Sequence, residues 1–231
     1  MRIAKYIANA GYCSRRDAEK LIFENKVFVN NKKCLFPYIK VTEKDKVSVN
    51  NKIIKLEKKI VLWKLYKPIS VMCTTKDPKK RKTIFDIIPK DFPRLISIGR
   101  LDYMSEGLIL LTNNGDFARK LELPSSNILR VYRVCVDINV KKNDIEKINY
   151  GVSINGILYK KAKITIEKIN QKKTWLKFKL REGKNREIRN ICKFFKWPIL
   201  KLIRLQYGSI KLNKEKPGQI KEINPIPIDF L

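Results

Sequence analysis

Histidine is absent from this 231-residue chain. That absence excludes Ser-His and Cys-His nucleophile systems, histidine metal sites and histidine proton shuttles, so proton transfer must use Asp, Glu, Tyr, Lys or Arg. Cysteine occurs five times, at Cys13, Cys34, Cys73, Cys135 and Cys192, and never as a C-x-x-C pair. Neither a disulfide framework nor a zinc ribbon fits that spacing, and the five read as small buried apolar residues. No run of about 18 apolar residues is present, and Met1-Arg2-Ile3-Ala4-Lys5 leads into an amphipathic pattern instead of a signal sequence. A cytosolic protein without a membrane segment is expected. Acidic residues are also scarce, 22 against 52 Lys and Arg, for a net charge of +30. A field of that sign attracts polyanions by releasing their counterions, which makes nucleic acid the expected partner. A compositional drift toward Lys, Asn and Ile would raise the same charge.

What is present is globular: 44% hydrophobic and 32% charged residues lie outside the low-hydrophobicity range of disordered chains. The length suits one larger domain and a small one. Ile3, Tyr6, Ile7 and Ala10 recur at helical spacing up to Gly11, and Ser14 to Asp17 has the form of a capping box that opens a second helix with Ala18, Leu21 and Ile22 on its buried stripe. Lys26 to Lys32 and Asp45 to Val49 then read as a small hairpin. A polar stretch from Asn50 to Lys59 follows, and the boundary is expected near residue 58, dividing the chain into residues 1–58 and 59–231. Beyond it a strand starts at Ile60, Thr174 to Leu180 alternates cleanly, and helices are expected at Asp116 to Leu121, Asn143 to Ile148 and Arg186 to Phe195. Hairpins with a few helices predict an α+β domain on a largely antiparallel mixed sheet.

Gly11, Ser14, Arg15, Arg16, Ala18, Leu21, Ile22, Val27, Val29 and Asn30 match G-x-x-S-R-R-x-A-x-x-L-I followed by V-x-V-N, so the first unit resembles the S4 RNA-binding domain. The resemblance implies that Arg15, Arg16 and Lys20 face phosphates; an ordinary solvated helix face is the alternative. Asn31 stands where the pattern usually has Gly, and Asn also tolerates a positive φ.

Ile96 to Asp116 sets Arg100 and Asp102 in a loop between two apolar strands. An Asp after a strand is more often a turn residue or cap. The segment, however, is similar to the signature G-R-L-D-x-x-T-x-G-L-L-L-L-T-N-D-G of the RsuA and RluB type pseudouridine synthases. Lys67-Pro68, Asp77-Pro78 with Arg81, Thr83, Phe85 and Asp86, Tyr132, and Glu182 to Arg189 match further family motifs, so that with the S4 unit the resemblance covers nearly the whole chain. Ser70, Ser105 and Asn114 replace the family's glycine, threonine and aspartate.

The resemblance implies that Asp102 is the catalytic carboxylate, attacking or removing a proton while the glycosidic bond is broken and remade at C5. It also implies that Arg189 is its cationic partner and that Tyr132 stacks on the flipped base and takes part in proton transfer. Alternation alone would let Tyr132 be core beside Val134 and Val136. Helical spacing puts Ile188, Ile191, Cys192 and Phe195 on one face and Arg186, Arg189, Asn190 and Lys193 on another, which leaves Arg186 free for the site or for RNA. Arg100 is the family position for filling the gap left by the flipped nucleotide or gripping its phosphate, and Lys67 for supporting the loop; a generic phosphate contact is the alternative for both. No metal or other cofactor is expected for an isomerisation. A monomer acting on ribosomal RNA or an assembly intermediate is expected, with the quoted motifs nearest the branch that modifies large-subunit RNA. Small-subunit or transfer RNA targets remain open, as does a non-catalytic RNA-binding factor.

Overall fold

The structure is a computed structural model describing residues 1–57 and 59–230. It divides into two compact units, one of Met1–Val61 with Lys90–Ile96 and Thr112–Phe117, the other of Leu62–Pro89, Ser97–Leu111 and Ala118–Leu231. Residue 58, where the sequence places a boundary, lies outside the described residues.

In the first unit, α1 (Ile3–Asn9) and α2 (Arg15–Phe23) are separated by Gly11 at φ +76°, and the Ser14 side chain caps α2 by accepting from the Asp17 N–H at 3.1 Å. Ile3, Ile7, Ala18 and Ile22 bury their side chains against Val27, Val47 and Val49. The hairpin expected there is in fact a four-stranded antiparallel sheet of β1 (Val27–Val29), β2 (Lys32–Lys33), β3 (Val47–Val49) and β4 (Lys52–Ile54), in the order β2-β1-β3-β4. Two Asn-Asn turns close it. Asn30 and Asn31 have φ of 50° and 64°, and Asn50 and Asn51 of 47° and 62°, the left-handed values that a tight two-residue hairpin turn requires and Asn tolerates. The stretch expected as a linker is thus a turn plus β4.

The second unit is built on a nine-stranded mixed sheet that agrees with the α+β expectation. Its strands are β5 (Leu62–Lys67), β6 (Ile96–Ile98), β7 (Glu106–Thr112), β8 (Arg130–Val136), β11 (Lys163–Asn170), β12 (Lys173–Leu180), β13 (Ile199–Tyr207), β14 (Ile210–Lys211) and β15 (Ile220–Glu222); β9 (Val152–Ile154) and β10 (Ile157–Tyr159) form a separate hairpin. The order runs β11-β12-β8-β13-β7-β5-β15, with β13 parallel to β7 and antiparallel to β8. The three expected helices are α3 (Gly115–Glu122), α4 (Lys142–Tyr150) and α5 (Glu187–Phe194). Val134, Val136, Leu176 and Phe178 from the sheet pack with Ile188, Ile191 and Cys192 of α5 in one apolar cluster. No helix among the described residues is long and apolar enough to cross a membrane.

Two local features hold the central strands and α5 where they are. Gly107 sits opposite Arg204 in the parallel β7–β13 pair, and a Cβ added there would lie 2.3 Å from the Arg204 carbonyl oxygen at φ +107°. Only glycine lets the two backbones meet in this way. At the start of α5, Glu187 is 4% exposed; its Oε2 accepts from the Lys184 N–H at 3.2 Å, while Oε1 is buried with no hydrogen-bond partner. Burial first, and then the neighbouring Glu182 charge, push its carboxyl up to about 7.

Gly107→Ala is expected to destabilise the fold by roughly 2–4 kcal/mol, since strain and a backbone clash coincide. Urea denaturation checks this, and a variant within experimental error of the parent would refute it. For Glu187, the folded-state value of about 7 lies above the ordinary value of 4.5, so the folded chain holds the proton more tightly. The stabilisation is full below pH 4.5 and is lost as the pH rises through about 7. Between pH 4.5 and 8.5 the stability of Glu187→Gln should therefore gain about 2–3 kcal/mol relative to the parent. Parallel pH profiles of unfolding free energy for the two proteins would contradict the assignment.

Candidate active site

The loop from Gly99 to Ser105 joins β6 to β7, and its backbone is tied at several points. The Gly99 N–H donates to Glu122 Oε1 at 2.7 Å, the Leu101 N–H to Cys73 Sγ at 3.3 Å, and the Ser105 N–H to the Asp102 carbonyl at 3.0 Å. Beneath it lies Lys67, at the end of β5 and 0% exposed, whose Nζ donates to the carbonyls of Ser105 at 2.6 Å, Pro68 at 2.9 Å and Tyr103 at 3.4 Å. Burial pulls this ammonium down to about 8. An amine spent on three carbonyls and closed to solvent cannot grip a phosphate, so the alternative of a phosphate or RNA contact for Lys67 is corrected here: its ammonium is spent on the loop.

The three departures from the family pattern each find a local role in this chain. Ser70 holds φ +60°, the left-handed backbone natural to glycine, and donates its N–H to the Tyr103 carbonyl at 2.9 Å. Ser105 supplies a hydroxyl that accepts from Arg189 Nη2 at 2.9 Å. Asn114 Oδ1 accepts from the N–H groups of Asp116 and Phe117 at 3.0 and 2.9 Å, capping α3 as an aspartate would.

Asp102 meets Arg189 from α5. Arg189 Nε donates to Asp102 Oδ2 at 3.1 Å, and Nη2 reaches the Met104 carbonyl at 2.9 Å. The Arg189 side chain is only 16% exposed against 34% for Asp102, so the pair is partly shielded and its orientation is fixed by three acceptors. Arg186 lies farther out, with Nη1 3.6 Å from Asp102 Oδ2. It precedes α5 as the N-cap residue at φ +51° instead of forming the helix's first turn. The two faces expected for α5 are otherwise observed: Ile188, Ile191 and Cys192 are buried, and Lys193 is exposed.

Tyr132 on β8 is partly buried and packs against the apolar cluster with Val134 and Val136 beneath it, yet it also lines the cavity that holds Asp102. Core packing thus orients the ring without closing it off. The cavity has a volume of about 1130 Å³, and Arg100, Arg186 and Arg189 line it as well. Two further arginines in its wall were passed over in the sequence. Arg204, 2% exposed and opposite Tyr132 in register, donates from Nε to the Leu108 carbonyl at 2.6 Å, and its Nη2 is buried without a hydrogen-bond partner. Arg130 donates to the Ile128 carbonyl at 3.1 Å and to the Tyr207 hydroxyl at 3.1 Å. The available signal was an arginine at a position where an apolar strand should continue. Among the described residues no three Cys, Asp or Glu converge as a metal site.

Arg15, Arg16 and Lys20 belong to the N-terminal unit, where all three are exposed. Arg15 Nη2 lies 3.8 Å from Asp116 Oδ1, and Lys5 Nζ lies 2.6 Å from the other carboxylate oxygen.

The chain is similar to known proteins. The RNA pseudouridylate synthase family model matches residues 61–194, and the S4 domain model residues 1–47. A Rickettsia felis protein named an uncharacterized RNA pseudouridine synthase is 48% identical, over 96% of each chain. The ribosomal large subunit pseudouridine synthase B of Bacillus subtilis is 35% identical, over 97% of this chain and 92% of its own. A crystal structure of a pseudouridylate synthase superposes with a TM-score of 0.70 at 21% identity, covering 97% of this chain and 96% of the other. A half-buried arginine clamped on a loop carboxylate, a tyrosine at the same cavity and similarity of this extent lead to one conclusion: the chain belongs to the RNA pseudouridylate synthase family and carries an S4 domain ahead of its synthase fold.

Proposed function

We propose that this RNA pseudouridine synthase isomerises a uridine of large-subunit ribosomal RNA, with Asp102 as the catalytic carboxylate. The observation that carries the reading is the Asp102–Arg189 pair, 3.1 Å apart in the cavity that Tyr132 also lines. In the reaction the C1'–N1 bond breaks, the uracil turns, and a C1'–C5 bond forms; the C5 proton is lost and N1 gains a proton, so the product is an isomer. Asp102 would supply the attacking or proton-accepting oxygen. Arg189 keeps that oxygen aimed into the cavity and compensates its charge.

Tyr132 offers a fixed ring to a base taken out of its stack, which offsets part of the few kcal/mol that extrusion costs. Arg100 and Arg186, both exposed at the cavity, suit phosphates on either side of the flipped nucleotide. Residues 1–58 would act as a separate RNA-binding module, with Arg15, Arg16 and Lys20 facing phosphates. The large-subunit target rests on the relatives named for that substrate.

Deleting the gene should remove one pseudouridine from large-subunit RNA, read by nucleotide-resolution mapping; a site lost from small-subunit or transfer RNA alone would move the substrate elsewhere. Asp102→Asn keeps the side-chain shape and removes the charge. Tritium release from C5-labelled uridine should fall by at least roughly 10³-fold, while RNA affinity at fixed salt stays the same or tightens slightly, since cations dominate it. A folded Asp102→Asn protein that still turns over substrate would overturn the mechanism.

A further inference from the structure

Outside the Asp102 cavity, one charged surface is left without a purpose by the reading so far. Lys163 on β11 stands directly opposite Lys179 on β12. Just beyond the strand ends, Lys161 and Arg181 are also exposed, Arg181 donating to the Asn127 carbonyl at 2.8 Å, while Ala162, Ile164, Phe178 and Leu180 are buried in the core. Like charges facing each other across a strand pair are destabilising. Even so, no carboxylate comes within ion-pair distance of these four cations among the described residues.

Farther along the same face the chain handles the same problem differently. Arg133 and Lys177 are also opposed, and there Glu167, at an irregularity of register in β11, takes both, at 2.7 and 2.8 Å. The uncompensated end calls for an anion from outside.

That end also adjoins the active site. A cavity of about 990 Å³ is lined by Lys160, Lys161, Lys163, Lys179 and Arg181, and it shares Pro124, Lys160, Leu180, Glu182 and Glu187 with the Asp102 cavity. Tyr150 at the end of α4 and Leu158 on β10 border it at 80% and 60% exposure, an apolar surface that suits an unpaired base. Its wall is joined to the segment that carries Arg186 and Arg189: the Lys160 N–H donates to Glu182 Oε1 at 2.8 Å, Asn190 Nδ2 to the Tyr159 hydroxyl at 2.9 Å, and Lys184 Nζ to the Leu158 carbonyl.

We propose that the sugar-phosphate backbone of the substrate RNA next to the target uridine passes around the ends of β11 and β12, from the face of Tyr132 and Phe178 to the opposite one, with phosphates between the opposed cations there and a flanking base against Tyr150. The proposal rests on the reading of the Asp102 cavity as the active site. Cations repeating every two residues, about 6.6–6.8 Å along a strand, fit a chain of regularly spaced phosphates better than a single small anion. Continuity with the catalytic cavity favours substrate RNA over an acidic protein.

The test compares two triple variants that remove equal charge from exposed positions: Lys161→Gln, Lys163→Gln, Lys179→Gln, and, at the far end of the same hairpin, Lys168→Gln, Lys172→Gln, Lys173→Gln. The probe is an unmodified large-subunit ribosomal RNA transcript, with binding measured across a range of salt. The first triple should lower the slope of log K against log salt by about 2, at about 0.7 for each single-strand phosphate contact, and weaken binding on the order of tenfold at physiological salt. It should raise KM and leave kcat at saturation unchanged, with a melting temperature at or above the parent's because opposed charges have been removed. The control triple should bind as the parent does. An unchanged slope in the first triple, or equal losses in both, would overturn the proposal. Binding is read without turnover, so a parent that released no tritium would count against the enzymatic reading alone.

Discussion

The contact on which the rest of the site depends is the ion pair between Arg189 and Asp102, made between residues 87 apart in sequence. A carboxylate in an exposed loop would otherwise sample many orientations, and an arginine on a helix would turn to solvent. Here one guanidinium engages the carboxylate, the Met104 carbonyl and the Ser105 hydroxyl together, so the loop and α5 fix each other. Lys67 completes the arrangement from below, replacing with its ammonium the water that the carbonyls of Pro68, Tyr103 and Ser105 would otherwise need. Its lowered proton affinity and the raised one of Glu187 have a common origin: the scaffold encloses charged groups to keep Asp102 and Arg189 in place, and desolvation disfavours the charged form of each.

The cavity that holds Asp102 is lined by arginine more than by any other charged residue type. Arg189 orients, Arg186 and Arg100 stand at the mouth, and Arg130 and Arg204 line the wall with their guanidinium groups 4.8 and 5.4 Å from the Tyr207 ring centre. In a chain without histidine this division is coherent. Arginine stays charged across the accessible pH range, so the cavity keeps its positive lining.

The sequence was most legible where a motif ties residue type to backbone geometry. The Ser14 cap, the three helices of the second unit, the alternation of β12 and the loop with Asp102 could all be found because capping, period and turn chemistry are local properties. What could not be seen depends on neighbours distant in sequence. Lys52–Ile54 is too short to alternate, and pairing with β3 alone makes it a strand. Nothing adjacent to Lys67 in sequence shows that three carbonyls converge on its ammonium. The near-complete burial of Glu187 and Arg204 cannot be read from the sequence, since burial is a property of the assembled sheet. Ser70 illustrates the limit from the other side: the sequence shows a missing glycine, and only the structure shows that the left-handed backbone is kept.

The strand order also has a consequence in time. In the spatial order β8-β13-β7, β13, made last of the three, lies between two strands made earlier, and Arg204 reaches the Leu108 carbonyl from it. A chain still emerging from the ribosome can make the loop with Asp102, the strand with Tyr132 and even α5, but it lacks the strand that joins β8 to β7. The assembled cavity thus waits for β13, and a shorter nascent chain holds its parts without joining them.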